Sequence, residues 1–183
     1  MNFDIENDLR QTLSRDEKLI WTGRPKTGIV FRSNDIFIIP FSLLWFGFAV
    51  FWEYNVIKMG ISLFALFGLP FIAIGLYIFV GRFFLDALKR KNTVYGITDN
   101  RIIIKSGLFS KEIKSLNIKT ISDLTFKEKA DGSGTISIGP TDFRYAMFSG
   151  LGYWPGLKLP PSIELIDEVK KVYNILIDQQ RKS

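Results

Sequence analysis

The chain of 183 residues contains no histidine and no cysteine. Those two absences remove a Cys/His zinc site, a catalytic thiol, a Ser-His-Asp triad, a histidine-ligated haem and any disulfide framework. Charge is sparse too: Lys, Arg, Asp and Glu make up 23% of the residues, and two long stretches carry none. Phenylalanine is abundant, with 17 copies in a chain that is 47% apolar. The chemistry left is that of carboxylates, lysines and tyrosines, or of binding without catalysis. This length holds one compact domain, or a small domain with a membrane segment, and not two full-size domains.

Ile36 to Trp52 is seventeen residues without a charge, and Met59 to Val80 is twenty-two. As a helix the second run reaches about 33 Å, and the first matches it when extended through Ile57, against a hydrocarbon core of about 30 Å. We therefore expect two transmembrane helices, 36–57 and 59–81. The connection from Glu53 to Lys58 is short enough to force an antiparallel hairpin with both chain ends on one side. The polar, acidic opening from Met1 to Arg10 does not read as a cleaved leader. Arg24, Lys26 and Arg32 precede the first run, and Arg82, Lys89, Arg90 and Lys91 follow the second, whereas the connection carries only Lys58. That asymmetry predicts cytoplasmic termini in a cell membrane, with Trp52 and Tyr54 at the outer interface.

Between the ends of the hairpin the polar side chains are Ser42, Ser62 and the amphipathic Trp45. Ion and proton pathways need buried ionisable groups or broken helices, so the pattern predicts an anchor. Pro70 is expected to kink the second helix. Gly68 and Gly75 share a face that admits the first helix closely, with Gly47 as the expected counterpart.

From Asn92 the pattern turns to strand-like alternation. Strands are expected at Thr93 to Thr98, Arg101 to Ser106, Lys111 to Leu116, Ile121 to Lys129 and Thr135 to Gly139, with weaker candidates at Phe143 to Phe148 and Leu157 to Leu159. Asp99-Asn100 reads as a tight turn with positive φ, and Ala130 to Gly134 as a second turn. After Pro160-Pro161, Ile163, Ile166, Val169, Val172, Tyr173, Leu176 and Ile177 repeat at three and four. That spacing predicts an amphipathic helix over 161–180. Upstream, a short helix over Ile5 to Leu13 and a strand over Lys18 to Thr22 are expected. The resulting division is an N-terminal segment 1–35, a hairpin 36–81 and a cytoplasmic domain 82–183.

The run Tyr95-Gly96-Ile97-Thr98-Asp99-Asn100-Arg101-Ile102-Ile103-Ile104, following a hairpin and a basic stretch, resembles the bacterial pleckstrin-homology-like (PH-like) membrane proteins. The likeness extends to Leu13, Glu17, Ile20-Trp21, Gly23-Arg24-Pro25, Phe31, Asp35 and Ile39-Pro40 upstream, and to Gly132, Gly134-Thr135-Ile136 and Val172-Tyr173 downstream. The resemblance implies a PH-like β-barrel or sandwich of about seven strands, closed by a C-terminal α-helix. It makes Thr98, Asp99, Asn100 and Arg101 a fold-defining turn, and it supplies no catalytic residue.

Residues 82–183 carry seventeen Lys and Arg against eleven Asp and Glu, which is the whole net charge of +6. Arg82, Lys89, Arg90 and Lys91 are the candidate contacts to anionic lipid headgroups of the inner leaflet. Tyr153 and Trp154, in the glycine-rich stretch Gly150 to Gly156, are the candidate contact to a partner protein or a second copy. That stretch lacks the Lys-Ser/Thr of a phosphate loop. Lysines from Lys105 to Lys129 alternate with acids and form no nucleic-acid stripe. Glu164 and Glu168, four apart on the expected helix, have no third group beside them, so no catalytic, cofactor or metal site is expected. The reading is a non-catalytic, membrane-anchored scaffold that presents its cytoplasmic domain to protein partners or to itself. The alternative is a subunit of an oligomeric transport or channel complex, lined by Ser42, Ser62 and the backbone at Pro70.

Overall fold

A chain that leaves a sheet, forms an apolar hairpin and returns to the same sheet is the plan of this molecule. The computed structural model describes residues 9–32, 35–60, 62–108, 111–140 and 160–182. Strand β1 (Leu19–Gly23) comes first. Helix α1 (Asp35–Lys58) and helix α2 (Ser62–Leu76) follow, and a π-helical turn over Tyr77–Gly81 leads into α3 (Arg82–Lys91). Next come β2 (Val94–Thr98), β3 (Arg101–Ser106), β4 (Glu112–Asn117), a 3-10 turn (Ile118–Thr120), β5 (Leu124–Glu128), β6 (Gly134–Ile138), β7 (Ser162–Ile166) and α4 (Val169–Lys182).

The strands form two antiparallel sheets, ordered β1-β2-β3-β4 and β5-β6-β7. Seven strands and a closing helix are present, the number the resemblance implies; six lie where strands were expected, and the seventh, β7, falls where a helix was expected. Among the described residues the sheets are two separate layers and do not join into a barrel, so the sandwich form of the expectation holds. The candidates at 143–148 and 157–159 lie outside the described residues.

Alternation places Tyr95, Ile97, Ile102 and Ile104 on one face of the first sheet, opposite one another across β2 and β3. They meet Ile136, Ile138, Ile163 and Ile166 of the second sheet and Val169, Val172 and Leu176 of α4 in one buried cluster. Each such side chain, fully buried, contributes about 1.5–3 kcal/mol. The other face of the first sheet carries Val94 and Ile103, covered by Leu9 and Leu13. Phe126 packs on Tyr173 in a tilted arrangement with ring centroids 4.7 Å apart, and Gln180 Nε2 donates to the carbonyls of Ile118 and Ile121, so α4 is held at two points along its length.

The helix expected from Pro161 begins eight residues later. Ser162–Ile166 is a strand because the free edge of β6 offers backbone partners there: Ile136 pairs with Ile163 and Gly134 with Ile166. Four residues of β7, 163–166, span three of β6, 134–136, and the extra one is absorbed at Leu165, whose φ is 50°. This is a β-bulge, and it lets Leu165 and Ile166 both be buried. Glu164 and Glu168 therefore do not share a helix face: one is in β7, and the other sits in the turn before α4 with φ 49°.

In the hairpin, the buried positions of α1 after Asp35 are Ser42, Ala49, Glu53 and Val56, spaced seven, four and three apart along one seam. Gly75 lies against the Phe46 backbone, and a Cβ on Gly68 would overlap the Glu53 carboxylate and press on Trp52. These two glycines do admit the first helix closely. Their counterparts are Phe46 and Glu53, because Gly47 has open space around it. Glu53 is thus inside α1 and not in the connection. Helix α2 continues through Pro70 to Leu76, and the departure from α geometry comes later, at Tyr77–Gly81.

Candidate functional site

Three segments that are distant in sequence meet at the base of the hairpin: the approach to α1, the whole of α3, and β7. Asp35 starts α1, where a negative charge suits the helix dipole. Its Oδ2 accepts from the Arg32 backbone N–H at 2.6 Å, and its Oδ1 accepts from Arg82 Nη1 at 2.6 Å. Both side chains of the Asp35–Arg82 pair are almost wholly buried. The π turn just before Arg82 has a local purpose. Arg82 N–H reaches back to the Tyr77 carbonyl, and the Ile78 carbonyl that an α-helix would have used accepts instead from Arg82 Nε at 2.8 Å. Arg82 also lies over the Phe83 ring at 4.3 Å, a cation–π contact.

Two turns on, Arg90 is held in the same way. Its guanidinium pairs with Asp86, four residues earlier, with Nε to Oδ2 at 3.0 Å. It also donates to the carbonyls of Lys26 and Gly28. Arg32 completes the set, with Nη2 at 3.0 Å from Asp86 and 2.8 Å from Glu164 of β7. The result is a chain of ions, Asp35–Arg82 on one level and Glu164–Arg32–Asp86–Arg90 on the next, linking the hairpin to the approach segment and to the second sheet. Buried pairs of this kind lose several kcal/mol when one member is removed and contribute little net stability against an apolar pair, so what they provide is a fixed geometry.

Of the four basic residues singled out as lipid contacts, Arg82 and Arg90 are buried at 3% exposure and engaged within the chain. Lys89 is half-buried and Lys91 is exposed. Tyr153 and Trp154 lie outside the described residues. The partner acids Asp35 and Glu164 were missed from the sequence because they lie 47 residues from Arg82 and 132 from Arg32. Asp86 was within reach, since Arg82, Asp86 and Arg90 repeat at four and so share one helix face.

The turn Thr98–Arg101 is a second built feature. Asp99 and Asn100 do not take positive φ; among the described non-glycine residues only Leu165 and Glu168 do. Thr98, fully buried, shapes the turn instead by accepting the N–H groups of Asn100 and Arg101 on its hydroxyl oxygen, at 3.2 and 2.9 Å. Asp99 exchanges backbone and side-chain bonds with Lys18. Arg101 grips Glu17 with both prongs at 2.7 Å and donates to the Thr12 carbonyl, while Glu17 also accepts from the Thr98 hydroxyl. Those bonds, above all the Arg101 guanidinium, hold the Glu17 carboxyl down at about 2. At the far edge Lys26 pairs with Asp131 at 2.7 Å, which raises the lysine and holds the aspartate well below the carboxylate range.

The flank of the hairpin has a largely apolar cavity of about 290 Å³, lined by Trp45, Phe48, Ala49, Trp52 and Phe71. No nucleophile with a base beside it is assembled among the described residues at the hairpin base, the turn or this cavity.

Two antiparallel sheets of four and three strands, a C-terminal helix packed on the second, and sites made of structural ion pairs define a PH-like fold of the kind used for binding. The chain belongs to the bacterial PH domain family, whose model matches residues 36–179. Among solved structures it is similar to a DUF1696 family protein with a pleckstrin-homology domain from Shewanella loihica PV-4, at 11% identity over 98% of each chain with a TM-score of 0.41. It is also similar to a pleckstrin homology domain from Shewanella amazonensis SB2B, at 11% identity over 97% of this chain and 86% of that one, with a TM-score of 0.40. No curated protein matches it.

Proposed function

We propose that the protein is a non-catalytic binding module anchored in the cell membrane by its hairpin, with the PH-like domain at the inner leaflet presented to a partner protein or to a second copy. The observation that carries this reading is the exterior of the hairpin. Phe37, Leu44, Phe48, Leu63 and Phe67 are 68–79% exposed, on two helices long and apolar enough to cross a membrane. A contiguous surface of that kind needs an apolar partner, and a bilayer is the one that matches its length. The pairing of β1 with β2 supports the placement of both ends on one side, because these strands flank the hairpin in sequence and are neighbours in space.

In this reading the net charge of +6 draws the domain to anionic lipid. Lys91 is exposed for headgroup contact and Lys89 is half-buried on another face of the same helix, while the charges of Arg82 and Arg90 are compensated by Asp35 and Asp86. Tyr153 and Trp154 remain the proposed contact for the protein partner. The transport alternative draws on one observation, the buried Glu53, whose Oε2 has no hydrogen-bond partner. A single carboxyl does not make a path through a hairpin.

Because the chain has no cysteine, single replacements report topology cleanly. Thr120→Cys and Lys170→Cys should react with an impermeant maleimide only after lysis, and Lys58→Cys should react on intact cells. Labelling of Thr120→Cys or Lys170→Cys from outside overturns the proposal.

A further inference from the structure

Helix α3 is built inside out. Arg82, Asp86 and Arg90 repeat at four and are buried, each with an ionic partner. On the opposite side Phe84 is 61% and Leu88 48% exposed. Along the ionic face and Phe83 runs the approach to α1, where Ile29 is 53% and Phe31 67% exposed. This approach is held in place by Arg90, which binds the carbonyls of Lys26 and Gly28, by the Arg32 pairs with Asp86 and Glu164, and by the Phe31 ring, edge-on to Phe83 at 5.5 Å. The charges that mark the end of the apolar run in the sequence are thus turned inward, and the apolar exterior continues past them.

We infer that Ile29, Phe31, Phe84 and Leu88 form an apolar collar that sinks into the inner leaflet, so that the PH-like domain sits flush on the membrane and not on a tether. This rests on the membrane reading proposed above. The occupant is the lipid of the bilayer that holds the hairpin, for two reasons on the molecule itself. The collar continues the hairpin exterior without a polar break, from Leu76, 50% exposed, to Phe84 and Leu88 on one continuous run of helical turns. Its depth also fits: Arg82 to Leu88 is about 9 Å of helix, and the headgroup layer on each side is about 5–8 Å. Lys91, exposed one turn beyond Leu88, is where a basic side chain meets phosphate. With this seating the ion chain at the hairpin base lies at headgroup depth, shielded from water by the collar, and sets the domain's angle to the membrane.

The test uses the full chain in phosphatidylcholine–phosphatidylglycerol vesicles, with one nitroxide at a time on Phe84→Cys, Leu88→Cys, Phe48→Cys or Lys171→Cys. Collision with oxygen, which partitions into lipid, is compared with collision with a water-soluble nickel chelate. Labels at 84 and 88 should meet the chelate several-fold less than the label at 171 and meet oxygen nearly as often as the label at 48. Chelate access at 84 and 88 equal to that at 171, with 48 still oxygen-rich, overturns the collar and leaves the hairpin anchor standing. Chelate access at 48 as well overturns both. Shielding of 84 and 88 from both reagents means that protein covers them, and the lipid assignment fails.

Discussion

Replacing Glu17 by glutamine removes the charge from the group that ties the N-terminal segment to the β2–β3 turn, while keeping its size. Glu17 accepts four hydrogen bonds, from Ser14, Thr98 and both prongs of Arg101, and its side chain is 4% exposed. A carboxyl lowered from 4.5 to about 2 contributes about 3 kcal/mol at neutral pH. Arg101 keeps 29% of its side chain in solvent, and screening on that side brings the figure to about 2 kcal/mol. For a chain of this size that is about 4–8 °C in melting temperature. The sign follows from the folded value lying below the unfolded one. The stabilisation is complete above about pH 4.5, half gone near pH 3 and absent below about pH 2. Thermal unfolding of the full chain in mild detergent, followed by the β-sheet circular dichroism, should therefore show Glu17→Gln melting lower at pH 7 and at pH 5, with the gap closing toward pH 2. Arg101→Lys keeps the charge and loses the fork, so it should fall between the two. Equal melting at pH 7, or a gap already closed at pH 5, refutes the argument.

The same measurement checks two further expectations. Gly68→Ala drives a methyl group into the Glu53 carboxylate and should cost about 1–3 kcal/mol; adding Glu53→Ala should recover most of it, and Gly47→Ala should cost almost nothing. Asp35→Ala strands the buried Arg82 and should cost about 3–5 kcal/mol, whereas the double change Asp35→Leu with Arg82→Met should stay close to the parent. Loss of the same size in the double variant would mean that the pair itself, and not the stranded charge, sets the stability.

The two hairpin helices and most strands were legible because their signals are local, whereas α3 was not expected and α4 starts later than its period suggested. Charge-free runs mark α1 and α2, and alternation marks β2 and β3 to within a residue. Strand β7 was not, because Ile163, Ile166 and Val169 at intervals of three satisfy a helical period, and what makes 162–166 extended is the edge of β6, a non-local partner. Asp99-Asn100 has the composition of a positive-φ turn, yet the buried Thr98 hydroxyl satisfies the turn with ordinary φ. The hairpin base was half legible. The arginines stood out as a cluster, but counting charge says nothing of where a guanidinium points, and Asp35 and Glu164 reach it only through the tertiary fold. Glu53 was assigned to the connection because a charge usually ends a span, and Gly68 opposite it is what makes room for the carboxylate inside the seam.

The position of β1 beside β2 has a consequence for biosynthesis in the anchored reading. The ribosome delivers Leu19–Gly23 well before Val94–Thr98, with both helices in between. The first sheet therefore cannot be completed until the hairpin has crossed and returned. A molecule that threads only one helix strands β1 across the bilayer from its neighbour, leaves the β2 edge bare and loses the Glu17–Arg101 clasp. In that reading, completion of the first sheet is coupled to the return of both helices.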